Sequence, residues 1–229
     1  MLNELREEVL EANLELVRRG LVLYTFGNAS GISRAGGLVV IKPSGVPYDR
    51  LTASDLVVTD LEGRIVEGSL RPSSDLPTHL AIYRAFPAAG GVVHTHSTYA
   101  TAWAQARRPI PCLGTTHADY FRGPVPVTGE LSAEEISSAY EWNTGQAIIR
   151  RFENLDPTEI PGVLVAGHGP FTWGRSALEA AHNSVILEEL ARIAAVTLAL
   201  NPAAPELADV WRDKHFLRKH GPQATYGQK

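Results

Sequence analysis

Leu2, Leu5, Val9, Ala12 and Leu16 recur at helical spacing, and Gly20 follows them. That stripe predicts an amphipathic first helix closed by the glycine. Apolar runs of strand length then appear at 21–24, 38–42 and 56–59, and the Glu62-Gly63 turn leads into a further one at 64–66. Strands so closely spaced pair antiparallel, because a parallel pair needs a long crossover. Ser74 is expected to cap a helix over 76–86, with Pro77 tolerated in its first turn. A second helix is expected after His96, through Ala100 to Gln105. Ser132 with Glu135 forms a capping box before a helix reaching about Phe152, and Ser176 with Glu179 does the same for a long helix ending near Leu200. Pro205 opens a last helix that stops at Gly221. Residues 163–166 and 171–173 read as buried strands. Helix and strand patterns alternate without repeats or low-complexity linkers, which predicts one α/β domain over residues 1–229.

The densest chemistry lies in Gly90-Gly91-Val92-Val93-His94-Thr95-His96. Along a strand, alternate side chains share a face, so His94 and His96 point the same way. His168 follows another buried strand and is the natural third ligand. Three neutral imidazoles leave an open position, as a catalytic zinc site requires. Spacing alone leaves three unrelated strand-end histidines as an equal alternative.

Asp75 is the candidate fourth ligand, although an aspartate at a helix start also serves the helix dipole. Ser73 and Ser74 precede it, and hydroxyls at a helix N-terminus suit a phosphate. Lys42-Pro43-Ser44-Gly45 and Gly27-Asn28 are two further loops of small, anion-friendly residues. Each loop alone reads as an ordinary turn; together they suggest a phosphorylated small molecule. Asp119, in a polar stretch over 114–121, is a candidate general acid or base, with His117 as polar support or ligand. The basic run 214–220 precedes Tyr226, which needs a docked tail to act.

Composition removes several alternatives. A net charge of −4 over 229 residues argues against nucleic acid as a partner. A single cysteine, Cys112, excludes internal disulfides and cysteine metal clusters, and fits a cytoplasmic setting. No apolar run spans a bilayer, and residues 1–19 lack a signal-peptide core, so no membrane partner is expected.

These blocks, in this order, resemble the L-ribulose-5-phosphate 4-epimerase family of the class II aldolase superfamily. The resemblance runs nearly end to end: Gly27-Asn28, residues 40–46, Pro72-Ser73-Ser74-Asp75, residues 93–97, residues 115–121, Tyr140-Glu141-Trp142, residues 167–171, Asp213-Lys214-His215 and Tyr226-Gly227-Gln228. It implies an α/β/α sandwich around a mixed, mostly antiparallel sheet. It implies Zn2+ on His94, His96, His168 and Asp75, with Mn2+ or Co2+ as possible substitutes. It implies substrate contacts from Gly27, Asn28, Lys42, Ser44, Gly45, Ser73, Ser74 and His215, and acid/base roles for Asp119 and Tyr226. A cyclic homotetramer follows, with the tail 221–229 at a subunit interface and a sugar phosphate as substrate, as in arabinose or ascorbate breakdown. Two relatives of other function stay open. L-fuculose-1-phosphate-type aldolases resemble it but carry glutamate where this chain has Asp75. Adducin-like assembly domains share the fold without the full metal set.

Overall fold

The computed structural model describes residues 2–225. Helix α1, Leu2–Arg18, buries Val9, Ala12 and Leu16, so the first apolar stripe does form a helix. The strand expected at 21–24 does not form. Leu21 and Val22 are buried, but Leu23 and Tyr24 are exposed, and Tyr24 takes a φ of 52°. This left-handed residue is a turn feature, and soon after it the chain enters β1, Asn28–Ser33, which no apolar run announces. β1 reads Asn-Ala-Ser-Gly-Ile-Ser and is nonetheless buried almost throughout. It lies between β2, Leu38–Ile41, and β5, Gly91–His94, so both ladders satisfy its backbone. Its small side chains admit α1 closely: a Cβ on Gly31 would stand 2.8 Å from Leu5 and from Val9.

The remaining strands are β3, Val57–Asp60, β4, Ile65–Glu67, β6, Gly162–Leu164, and β7, Pro170–Gly174. The remaining helices are α2, Leu76–Ala85, α3, Thr98–Gln105, α4, Thr115–Ala118, α5, Ala133–Ser137, α6, Tyr140–Arg151, α7, Ala177–Leu200, and α8, Asp209–His220. The sheet order is β4-β3-β2-β1-β5-β7-β6. Every pairing of named strands is antiparallel; a parallel bridge joins Val127 to Leu164 beside β6.

Alternation along the strands feeds two cores, as the period-two rule requires. Val39, Ile41, Val57 and Val92 face a core built with α2, α3, α6 and the second half of α7. Val40, Val58 and Val93 face the other, built with α1 and the start of α7. The result is an α/β fold with helices on both faces of the sheet.

Three helix boundaries differ from expectation. Ser132 and Glu135 do form their capping box, but α5 stops at Ser137 and α6 restarts at Tyr140. α5 has no buried residue, so no packing extends it. Asp75, not Ser74, is the cap position of α2, and the Ser73 hydroxyl accepts from its N–H at 3.3 Å. The last helix begins at Asp209, not at Pro205, and the segment before it is tied down by the Leu207 N–H donating to the Cys112 carbonyl at 2.8 Å. Among the described residues, no helix is long and apolar enough to cross a membrane.

Candidate metal centre and phosphate cavity

Register brings the chemistry to one end of the sheet. Asn28 opens β1 opposite His94, which closes β5, and His94 lies opposite Phe171 near the start of β7. β2 ends at the same side, because Ser30 pairs with Ile41, immediately before Lys42. The chain after β2 is tied to the segment before α2. Ser73 N–H donates to the Lys42 carbonyl at 2.9 Å, and Ser44 N–H to that of Arg71 at 2.9 Å. Gly27 must approach closely: its φ is +77°, and a Cβ there would stand 2.7 Å from the His94 carbonyl oxygen.

His94, His96 and His168 converge, with their ligand atoms all within 4.8 Å of one another. His94 is buried and stacks on Phe171, with ring centroids 4.2 Å apart at 16°. Its Nδ1–H donates to the Pro170 carbonyl at 2.9 Å, because a carbonyl only accepts. That bond leaves the Nε2 lone pair for a metal. Burial, then His94 and His96, push His168 down to about 3, and burial with His94 lowers His96. Imidazoles so shifted are neutral near pH 7, which is the form that ligates. The donor set therefore fits a divalent transition ion.

Asp75 stands beside this trio without joining its 4.8 Å cluster. Its Oδ2 accepts from Asn28 Nδ2 at 2.6 Å. Burial alone would raise its carboxyl, yet His94, His79, the Asn28 bond and His168 together hold it below the ordinary value. The Asn28 Oδ1 atom is buried without a hydrogen-bond partner among the described residues.

A cavity of about 290 Å³ adjoins Asp75. It is lined by Gly27, Asn28, Lys42, Ser44, Gly45, Ser73 and Ser74, among others, so the three candidate loops do meet. Lys42 is 1% exposed, and burial brings its ammonium down to about 8. Its Nζ donates to Val46 O at 2.8 Å and Pro43 O at 3.2 Å, and lies 4.6 Å from the centre of the Tyr48 ring. An ammonium has three donors, and these two carbonyls take two of them. A larger cleft of about 550 Å³ lies elsewhere, between β7 and α8, and none of the candidate site residues lines it.

Asp119 forms a separate cluster with α8. Its carboxylate accepts from Arg218 Nη2 at 2.9 Å on both oxygens and from His215 Nδ1 at 3.0 Å, with Lys219 Nζ at 3.7 Å. Burial pushes this carboxyl up, but the Arg218 and His215 bonds and the nearby cations hold it below its usual value. His215 thus meets Asp119, and neither lines the cavity beside Asp75. His117 is structural: buried, lowered to about 4 by burial, with Nε2–H on the Gly123 carbonyl at 2.8 Å. Tyr226 lies outside the described residues.

Sequence reasoning gave no role to Phe26, Tyr140 or Arg218. Phe26 packs 6.2 Å from His96, Tyr140 bonds His168, and Arg218 clasps Asp119. The basic run containing Arg218 was visible as a run; its target was not.

Residues 7–195 match the profile of the Class II Aldolase and Adducin N-terminal domain. L-ribulose-5-phosphate 4-epimerase UlaF of Salmonella paratyphi B is 54% identical over 228 residues, covering 100% of both chains. The protein of that name from Salmonella typhi shows the same 54% identity and coverage. Among solved structures, an L-fuculose 1-phosphate aldolase superposes with a TM-score of 0.79 at 27% identity, covering 93% of this chain and 94% of its own. YgbL from Klebsiella pneumoniae gives a TM-score of 0.74 at 30% identity, covering 93% and 98%.

Proposed function

From its membership of the class II aldolase and adducin N-terminal family, to which this chain belongs, we propose a metal-dependent sugar-phosphate epimerase. Its substrate is L-ribulose 5-phosphate and its product D-xylulose 5-phosphate, the reaction named for its full-length relatives. One observation carries this reading beyond the name. Asn28 is shared: it pairs with His94 in the sheet, bonds Asp75 and lines the phosphate cavity. A metal trio and an anion cradle joined by one residue suit a phosphorylated substrate that must be polarised.

The C4 hydrogen of the ketose is β to the C2 carbonyl and is not acidic, so simple deprotonation cannot invert C4. Cleaving C3–C4 leaves an enediolate and glycolaldehyde phosphate. Rotation of the aldehyde before re-addition inverts the centre. A zinc ion on His94, His96 and His168, with Asp75, would supply Lewis-acid stabilisation of the charge left on the C2 and C3 oxygens. Lys42, Ser44, Gly45, Ser73 and Ser74 hold the aldehyde through its phosphate, so the fragment turns without leaving.

The C4 hydroxyl loses its proton on one face and regains it on the other, which calls for two groups. Asp119, kept ionised by Arg218 and His215, is suited to accept one; Tyr226 takes the other role. Asp119 does not border this chain's own cavity. That supports an assembly in which Asp119, His215 and the tail 221–229 of one subunit complete the site of the next, as in a cyclic homotetramer. Each chain then acts as one domain over residues 1–229, in the cytoplasm, on the pentose phosphates of pathways such as arabinose catabolism.

The test is conversion of L-ribulose 5-phosphate by metal-stripped and zinc-restored protein. Xylulose 5-phosphate is expected only after restoration. Release of free aldehyde without epimer would favour an aldolase, and no turnover in either state would overturn the reading.

A further inference from the structure

The three histidines differ in what holds the nitrogen away from the metal. His94 Nδ1 rests on a backbone carbonyl at 2.9 Å, a partner that only accepts. His168 Nδ1 meets the Tyr140 hydroxyl at 3.1 Å, a partner that both accepts and donates. The His168 tautomer is therefore not dictated by its partner. If the phenol donates to Nδ1, the imidazole proton must be on Nε2, which cannot then ligate. If Nδ1–H donates to the phenol, Nε2 is free for a metal, and the phenol keeps its own proton. Ligand binding at His168 and the direction of this hydrogen bond are one event.

The local fold holds Tyr140 in place for this. The chain breaks at Ser138 and Ala139, with φ/ψ of −98/−105° and −103/69°, and α6 begins with Tyr140 itself. Asn143 Nδ2 donates back to Glu135 O at 2.8 Å and to Ser138 Oγ at 3.2 Å, bracing the break. The Thr144 hydroxyl donates to Tyr140 O at 2.9 Å, and the Thr78 hydroxyl of α2 donates to Glu141 O. α6 lies tight on α2, since a Cβ on Gly145 would stand 2.5 Å from the Ala81 Cβ. His168 is displayed by a tight turn: its N–H donates to Val165 O at 3.0 Å, and Gly167 N–H reaches Ala104 O at 2.9 Å. Two braced backbones thus present Tyr140 to His168.

We propose that Tyr140 is a positioning residue for the metal, accepting from His168 Nδ1–H and so fixing Nε2 toward the ion. This rests on the three-histidine metal reading. The test titrates cobalt(II) alone into metal-stripped wild type, Tyr140→Phe, His168→Ala and the double variant, by competition with a chelator and by visible absorption. Tyr140→Phe is expected to bind cobalt about 10–100-fold more weakly, the usual effect of losing such a partner, with shifted absorption bands and an unchanged apo melting curve. In the His168→Ala background the same substitution should change affinity less than twofold, because the partner is gone. Equal weakening in both backgrounds would make Tyr140 merely structural. Unchanged affinity and spectrum in Tyr140→Phe would also overturn the proposal. Failure of wild type to bind one cobalt per chain would instead remove the metal reading beneath it.

Discussion

Replacing Lys42 by methionine separates binding from folding. Methionine keeps an unbranched apolar stem but carries no charge or donor. The ammonium is nearly fully buried and lowered from 10.5 to about 8 by burial. That shift corresponds to about 3 kcal/mol by which the folded chain disfavours the charged lysine. Its removal also leaves the Pro43 and Val46 carbonyls without this donor, at about 1 kcal/mol each. The net expectation is a variant as stable near neutral pH, or about 1 kcal/mol more so, in urea unfolding. Substrate binding moves the other way. A charge-assisted bond to phosphate contributes about 1.5–3 kcal/mol, so KM for L-ribulose 5-phosphate should rise about 10–100-fold, with kcat less affected.

The pH dependence gives a second readout on the same residue. Because the folded pKa of Lys42 is depressed, its charged form costs stability below about 8, and that cost fades as pH rises from about 8 towards 10.5. Phosphate binding loses its cation over the same rise. Wild-type KM should therefore climb above pH 8, by up to about tenfold per unit, until it levels off near that of Lys42→Met, which should be flat there. Steady-state kinetics across this range check it. A variant KM within about twofold of wild type, or parallel pH profiles, would refute the role given to Lys42.

Asp119→Asn should lower kcat by about 10²–10⁴ with a smaller change in KM, measured by epimer formation. Because Asp119 is held below 3.8, its stabilising contribution is complete above that value and lost as pH falls below it; the variant's acid-unfolding curve should be flatter there. His96→Ala should abolish stoichiometric zinc after dialysis while leaving the fold intact, since His96 lies past the end of β5 and belongs to neither core. Gly145→Val drives a side chain into the Ala81 contact of 2.5 Å, so a loss of about 1–3 kcal/mol and a lower melting temperature are expected.

Much of the site was visible before any fold. The i, i+2 spacing of His94 and His96 pointed to a shared direction, and the two do converge although His96 lies past the end of β5. The long-range partners were not visible. β1 escaped notice because a central strand with both ladders filled needs no apolar run, and its residues are chosen to be small against α1. The apolar run at 21–24 misled for the converse reason: two of its residues reach a core and two stay in solvent. The capping box at Ser132 and the serine cap at Ser176 were legible because their bonds span three residues; the second half of the box expected at Ser176 does not form, because the Glu179 carboxylate accepts from the Arg175 N–H instead. The stop at Ser137 was not, since α5 ends for want of packing.

By itself the sequence determined the residue types of the chemistry, the helical and strand periods, and the resemblance that names a reaction. Those depend on local spacing and on blocks kept in order. Tertiary structure decided what meets what. Antiparallel register set Asn28 beside His94, and the tie between 42–44 and 71–73 closed a cavity around Lys42. Docking of α6 on α2 brought Tyr140 to His168, and α8 turned a basic run into the clasp on Asp119. These contacts join residues 27 to 99 positions apart. They arise from burial of two cores at once, which no local pattern encodes.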